Sequence, residues 1–286
     1  MSALTDALAL VDTWPVDSVA AAVVVDGETV ASHGPTDRAF HLASITKTIT
    51  SWTTLIAVEE GIVDLDAVVA PDVNPATLRH LLAHAGGYPF DGPDPITGIE
   101  RRRIYSNTGI EIAAGVVADA AAMPFEEYMR LGVLEPLAMS STELRGSPAH
   151  GMWSSVDDVL AFMAEVVDPT LLSAPMAAAA VRPHFPLLGG IVPGVGRFDT
   201  CPWGMGFEVR GDKSPHWTGS RNSAATFGHF GGAGTIMWID PAALPGRTVG
   251  VVALTDRPFD EWAGDALRVW PELSDAVLAS QESDPG

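Results

Sequence analysis

Strand-like runs stand at both ends of this chain, and helical periodicity fills the stretch between them. Near the N-terminus, residues 18–25 and 29–32 are apolar and rich in valine, and Asp26-Gly27 between them is a strong signal for a two-residue hairpin turn. Residues 203–209, 234–239 and 248–254 read as strands again. From Leu65 to about Pro186 the spacing is mostly helical, broken by Pro- and Gly-rich turns, with helices expected over 77–85, 108–123 and 155–167. Amphipathic helices over 5–11 and 260–280 bracket the chain, and 281–286 reads as a disordered tail. Such a chain must bring its two ends together to complete a sheet. The predicted class is α+β: an antiparallel β-sheet formed from both termini and flanked by helices, with a mostly helical inserted lobe. Residues 1–65 and 195–286 form the discontinuous sheet lobe in this reading, and 66–194 the helical lobe. A binding cleft is expected where they meet.

Helical periodicity begins at Ser44 and runs through Trp52, Leu55, Ile56 and Val58 to Glu60, with Gly61 placed to end it. Ser44 and Lys47, three apart, share one face of that helix, so a hydroxyl and an amine can meet. A serine hydroxyl needs a neighbour to take its proton, and a lysine serves only if burial or a nearby cation lowers its pKa. Composition makes the position stand out: the chain has fourteen arginines but only two lysines, Lys47 and Lys213. The competing reading is a helix N-cap serine followed by a surface lysine.

Two further stretches carry candidate chemistry. Tyr105-Ser106-Asn107 precedes the helix expected from Thr108. A tyrosine beside Lys47, held partly as phenolate, can exchange a proton with Ser44, and Asn107 has both a donor and an acceptor to hold Lys47 and a substrate carbonyl. The same triplet also suits a plain turn into a helix. The second stretch, Gly228-His229-Phe230-Gly231-Gly232-Ala233-Gly234, leads into an apolar strand. Its glycines let an acyl group approach a strand edge, where a backbone N–H can face an oxyanion, and His229 offers a donor or a positive charge. A solvent-facing glycine-rich turn is the alternative.

Taken together, the order Ser-x-x-Lys, Tyr-Ser-Asn, His-x-Gly resembles the three-motif pattern of the serine β-lactamase and penicillin-binding-protein superfamily. Tyr in the second motif and His opening the third look like its class C β-lactamase-like branch, which also holds D-alanyl-D-alanine peptidases, carboxylesterases and amide hydrolases. The segments 78–84, 134–139 and 151–155 are similar to further family segments. The resemblance implies a β-lactamase/transpeptidase-like fold with Ser44 as the acylated nucleophile. Lys47 and Tyr105 share the base and acid roles, Asn107 orients substrate, and His229 stands where relatives place Lys or His. The backbone N–H groups of Ser44 and Gly232 form the oxyanion hole, beside Gly231. His229 and Phe230 depart from the pattern, since neither offers the fixed cation or small hydroxyl that would grip a β-lactam carboxylate.

Composition narrows the partners. A formal net charge of -20 argues against nucleic acid. The single Cys201 cannot form an internal disulfide, the first residues lack a signal-peptide pattern, and no stretch is apolar enough to span a bilayer, so a cytoplasmic location is expected. His80 and His84 lie four apart without the glutamate of a zincin, so no metal is expected, nor any cofactor. Arg101, Arg102 and Arg103 suit either a substrate carboxylate or a solvated loop, and Trp153, Trp203 and Trp217 either an acyl pocket or core packing. The expected activity is a serine hydrolase on small esters or amides. A β-lactamase or D-alanyl-D-alanine carboxypeptidase is the close rival, and a non-catalytic ligand sensor the distant one.

Overall fold

The computed structural model describes residues 3–70 and 73–282. Its centre is a six-stranded antiparallel sheet whose spatial order is Glu208–Val209, Phe227–Gly231, Thr235–Leu244, Arg247–Thr255, Val19–Val25 and Glu28–His33. The N-terminal hairpin turns at Asp26 and Gly27, both with positive φ as a tight two-residue turn requires. Its first strand then pairs with the last strand of the chain, Val19 opposite Thr255 and Val25 opposite Val249, so both ends of the sequence build one sheet.

The strand Val19–Val25 reads as an unbroken apolar run because both faces of the sheet are covered. Side chains alternate along it: Ala20, Ala22 and Val24 join one core with Met237, Val252 and Leu254. Ala21, Val23 and Val25 join a second core with Trp238, Val251 and Trp270. Helices Ala3–Leu8 and Ala263–Glu282 supply the second core, while Thr46–Glu59, Asn107–Ala121 and Val156–Val167 supply the first. Although it falls in the middle of the chain, Val156–Val167 packs directly on the sheet against Val19–Val25 and Arg247–Thr255.

The expected helices form with shifted ends, each set by a cap. Thr77 caps a short helix, Leu78–Leu82, exchanging hydrogen bonds with His80. Ser106 caps Asn107–Ala121, which ends where Ala122 turns left-handed ahead of Pro124. Ser155 caps Val156–Val167. Ser44 lies in the 3-10 turn Ala43–Ile45, and the α-helix proper starts at Thr46. At the C-terminus, Gln281 and Glu282 continue the last helix rather than fraying, and 283–286 lie outside the described residues.

Two strand expectations need correction. Of 203–209 only Glu208–Val209 joins the sheet as a strand. The glycine-rich stretch ahead of residue 234, read as leading into a strand with a plain turn as the alternative, is itself the strand Phe227–Gly231. Glycine there serves close packing between backbones, which outweighs its low strand propensity. Among the described residues no single helix is long and apolar enough to cross a membrane.

Candidate active site

The three candidate stretches converge at one end of the sheet. The turn carrying Ser44 is pinned on both sides: the Leu42 N–H donates to the Met152 carbonyl (2.9 Å), and the Thr235 hydroxyl donates to the Leu42 carbonyl (3.0 Å). Between them Ala43 is held at φ 46°, a left-handed conformation that costs a residue with a Cβ about 1 kcal/mol or more. The strand ending at Gly231 presses against this turn so closely that a Cβ on Gly231 would lie 2.3 Å from the Leu42 oxygen. Half-buried Ser44 therefore projects from a constrained corner into the cleft.

Lys47 lies one helical turn deeper and is fully buried. Its ammonium donates to Ser44 Oγ (3.2 Å), Asn107 Oδ1 (2.7 Å) and the Ala149 carbonyl (2.9 Å), and it sits 4.7 Å from the Tyr105 ring centre. Burial lowers its pKa to about 7, against the weaker opposing pull of Glu111 and Asp91. At neutral pH a substantial share of Lys47 is thus the free amine, which can accept a proton. Asn107 is oriented from its other end, where Nδ2 donates to Asp91 (3.0 Å).

Tyr105 is not a phenolate. Burial pushes its pKa well above the ordinary tyrosine range, and the Ser44 hydroxyl pulls it only partly back. The ring is wedged among His84, Phe90, Trp203 and His229, with its hydroxyl 3.4 Å from His229 Nε2. His229 Nδ1 lies 2.6 Å from the Phe230 carbonyl, so that nitrogen carries the proton and Nε2 is left as an acceptor facing the phenol. Burial, reinforced by the charge of Lys47, lowers the His229 pKa to about 3, so His229 is neutral and supplies no positive charge. Both assignments correct the sequence expectation: proximity is legible in spacing, whereas protonation depends on burial.

Ser44, Tyr105, Trp203, His229, Phe230 and Gly232 line one cavity of about 310 Å³. Trp203 is the single candidate tryptophan on its wall; Trp217 packs in the second core and Trp153 stacks on His41 away from it. Arg103 is buried, its guanidinium donating to the carbonyls of Ala83, Cys201, His184 and Phe185, so it ties loops together instead of reading substrate. His80 has both ring nitrogens engaged, by Thr77 and Glu100, and His84 accepts the Ser106 N–H, which supports the second motif from behind.

A buried ionic cluster on the cavity wall was not foreseen. Glu208 touches the cavity, and its carboxylate meets Lys213 (3.0 Å), His216 (3.2 Å) and the Trp217 indole N–H (2.8 Å). Burial alone would raise its pKa, yet Lys213 and these hydrogen bonds hold it well below the usual carboxylate range. The scarcity of lysine was the available signal, because both lysines of the chain are buried at this cleft. A Glu208→Gln variant should lower stability by about 3 kcal/mol, since it strands a buried ammonium. Urea unfolding at neutral pH checks this, and an unchanged midpoint would contradict it.

A family model described as Beta-lactamase matches residues 10–272. The chain belongs to the Beta-lactamase family. Among solved structures, a β-lactamase from Mycobacterium bovis is 42% identical, covering 96% of this chain and 98% of its own, with a TM-score of 0.88. EstCE1, described as a hydrolase with promiscuous acyltransferase activity, shares the fold at 17% identity and a TM-score of 0.78, over 96% of this chain and 97% of its own. A putative D-alanyl-D-alanine carboxypeptidase of Salmonella typhimurium is 23% identical over 82% of this chain and 73% of its own length. The Beta-lactamase family match thus spans the N-terminal hairpin, the helical middle and the first half of the final helix.

Proposed function

We propose that the chain is a serine hydrolase that works through an acyl-enzyme on Ser44, taking small esters or amides. The observation that carries this is the buried Lys47 amine, 3.2 Å from Ser44 Oγ with its pKa lowered to about 7. Substrate enters the cleft between the sheet part (1–65 and 195–286) and the helical part (66–194). Neutral Lys47 takes the Ser44 proton as Oγ attacks the carbonyl carbon. The oxyanion meets the N–H groups of Ser44 and Gly232, and Asn107 orients the acyl group. As the intermediate collapses, the proton passes from Lys47, by way of the Tyr105 hydroxyl, to the leaving oxygen or nitrogen. Water then attacks the acyl-enzyme by the reverse proton route, releasing the acid and restoring Ser44.

Neutral His229 and the apolar Phe230 favour esters and amides over β-lactams, whose carboxylate would find no fixed cation there. The 42%-identical neighbour described as a β-lactamase keeps β-lactam opening as a second reading. Incubation with a fluorophosphonate probe, followed by peptide mapping, is expected to place the added mass on Ser44; no adduct would leave a ligand sensor. Short-chain esters, nitrocefin and a D-Ala-D-Ala peptide assayed side by side separate the activities. Because the reactive form is the free amine, kcat/KM for a neutral ester is expected to rise about tenfold per pH unit below about 7 and level off above it. A profile flat from pH 5 to 9 would show that Lys47 is not the base.

A further inference from the structure

The cavity of Ser44 adjoins a larger one of about 670 Å³, and the two share Phe90, Tyr105 and Pro193 as walls. Arg101, Arg102 and Arg197 line this second cavity, with Arg103 behind them and Asp199 as its one lining carboxylate. The side chains of Arg101, Arg102 and Arg197 are exposed and make no hydrogen bond or ion pair with any described residue. Arg103 lies among backbone carbonyls, so no carboxylate cancels its charge. In a chain of formal net charge -20, this cavity carries a local cationic excess, and cationic clefts concentrate anions.

The backbone fixes the arrangement. Residues Gly190–Val192 and Gly196–Phe198 form a hairpin in which Ile191 pairs with Arg197. That hairpin docks on the arginine run where the Arg103 N–H donates to the Gly189 carbonyl (2.8 Å), and a Cβ on Gly190 would lie 2.5 Å from the Arg103 Cβ. Glycine at 190 is thus what brings Arg197 across from Arg101 and Arg102. Apolar Phe90, Ile104, Ile191 and Phe198 complete the wall, half exposed at Phe90 and Ile191. The Ser44 cavity has no arginine on its wall; its charged lining is Glu208, which is paired with Lys213, and Asp260.

The geometry points to an anion-binding subsite in this cavity: substrates carry a carboxylate or phosphate group, joined through an apolar spacer, that docks on Arg101, Arg102 and Arg197 while the scissile carbonyl lies at Ser44. This rests on the reading of Ser44 as nucleophile. Guanidinium forks suit either anion bidentately, and the apolar wall suits the spacer.

The test compares mono-p-nitrophenyl suberate, with its charge on the acyl side, and 4-phosphonophenyl octanoate, with its charge on the leaving side, each against p-nitrophenyl octanoate. In an Arg101→Gln/Arg197→Gln variant the kcat/KM ratio, anionic over neutral, is expected to fall about tenfold for one of the anionic esters, mainly through KM. The ester that suffers identifies the side on which the charge is carried. An Arg101→Lys/Arg197→Lys variant should recover most of the ratio, and added salt should shrink it in the parent. Ratios unchanged for both anionic esters would overturn the subsite. If no ester is turned over, the Ser44 reading fails on its own, and calorimetry with suberate and phenylphosphonate still decides. Binding lost in the glutamine variant upholds the subsite, and equal or absent binding in both proteins removes it.

Discussion

A Ser44→Ala variant is expected to fold like its parent and to lose turnover of short-chain p-nitrophenyl esters by a factor of about 10⁴ or more. The substitution removes one half-buried oxygen that meets the Lys47 and Tyr105 side chains, both of which keep other partners, so little stability is at stake. What disappears is the atom that forms the covalent bond. Residual turnover would come only from the oxyanion N–H groups and substrate binding. Ester hydrolysis followed optically, with a thermal melt as the folding control, checks both halves. Activity within tenfold of the parent would move the nucleophile elsewhere.

Lys47→Met is expected to cost about 10³ in kcat while leaving the protein as stable as the parent, or more so, at pH 6. The lowering of the Lys47 pKa to about 7 means that the folded state holds its charged form at a penalty of about 5 kcal/mol, at about 1.4 kcal/mol per factor of ten. Methionine removes that penalty and nearly fills the volume, against the loss of hydrogen bonds to Asn107 and Ala149, about 1–3 kcal/mol. The pH dependence has a definite sign. Between about 7 and the ordinary lysine pKa the unfolded chain binds the extra proton, so the parent gains stability as pH rises through that window. The advantage of the variant in Tm should be largest near pH 6 and shrink toward pH 10. A variant far less stable than the parent at pH 6 would show that Lys47 is needed for the fold, not only for the chemistry.

The parts of the molecule written locally were legible in the sequence. Asp26-Gly27 marked the hairpin, Ser155 and Ser106 marked helix starts, and the three short motifs marked the site because their residue types are uncommon in such company. Features decided by packing were not. The strand Phe227–Gly231 was hidden by its own glycines; Gly231 lets the turn at Leu42 approach and Gly228 lies against Met237 and Trp238, and no local pattern encodes those approaches. The ionisation of Tyr105 and His229 depends on burial supplied by His84 and Phe90 from one loop and Trp203 from a distant one. Glu208 sits in a two-residue strand, and its partners Lys213, His216 and Trp217 lie in the irregular segment after it, with no periodicity to expose them.

Protein synthesis runs in one direction, and the placement of Val19–Val25 sets its own timetable. The neighbour it needs, Arg247–Thr255, is among the last segments to leave the ribosome, so the emerging N-terminal hairpin must wait with one edge unpaired. Ser44 and Lys47 emerge early, but the corner that holds them is completed by Gly231 and Thr235, made much later. Nascent chains halted before about residue 255 should therefore be inert toward esters, with catalytic competence appearing abruptly once the final hairpin clears the tunnel.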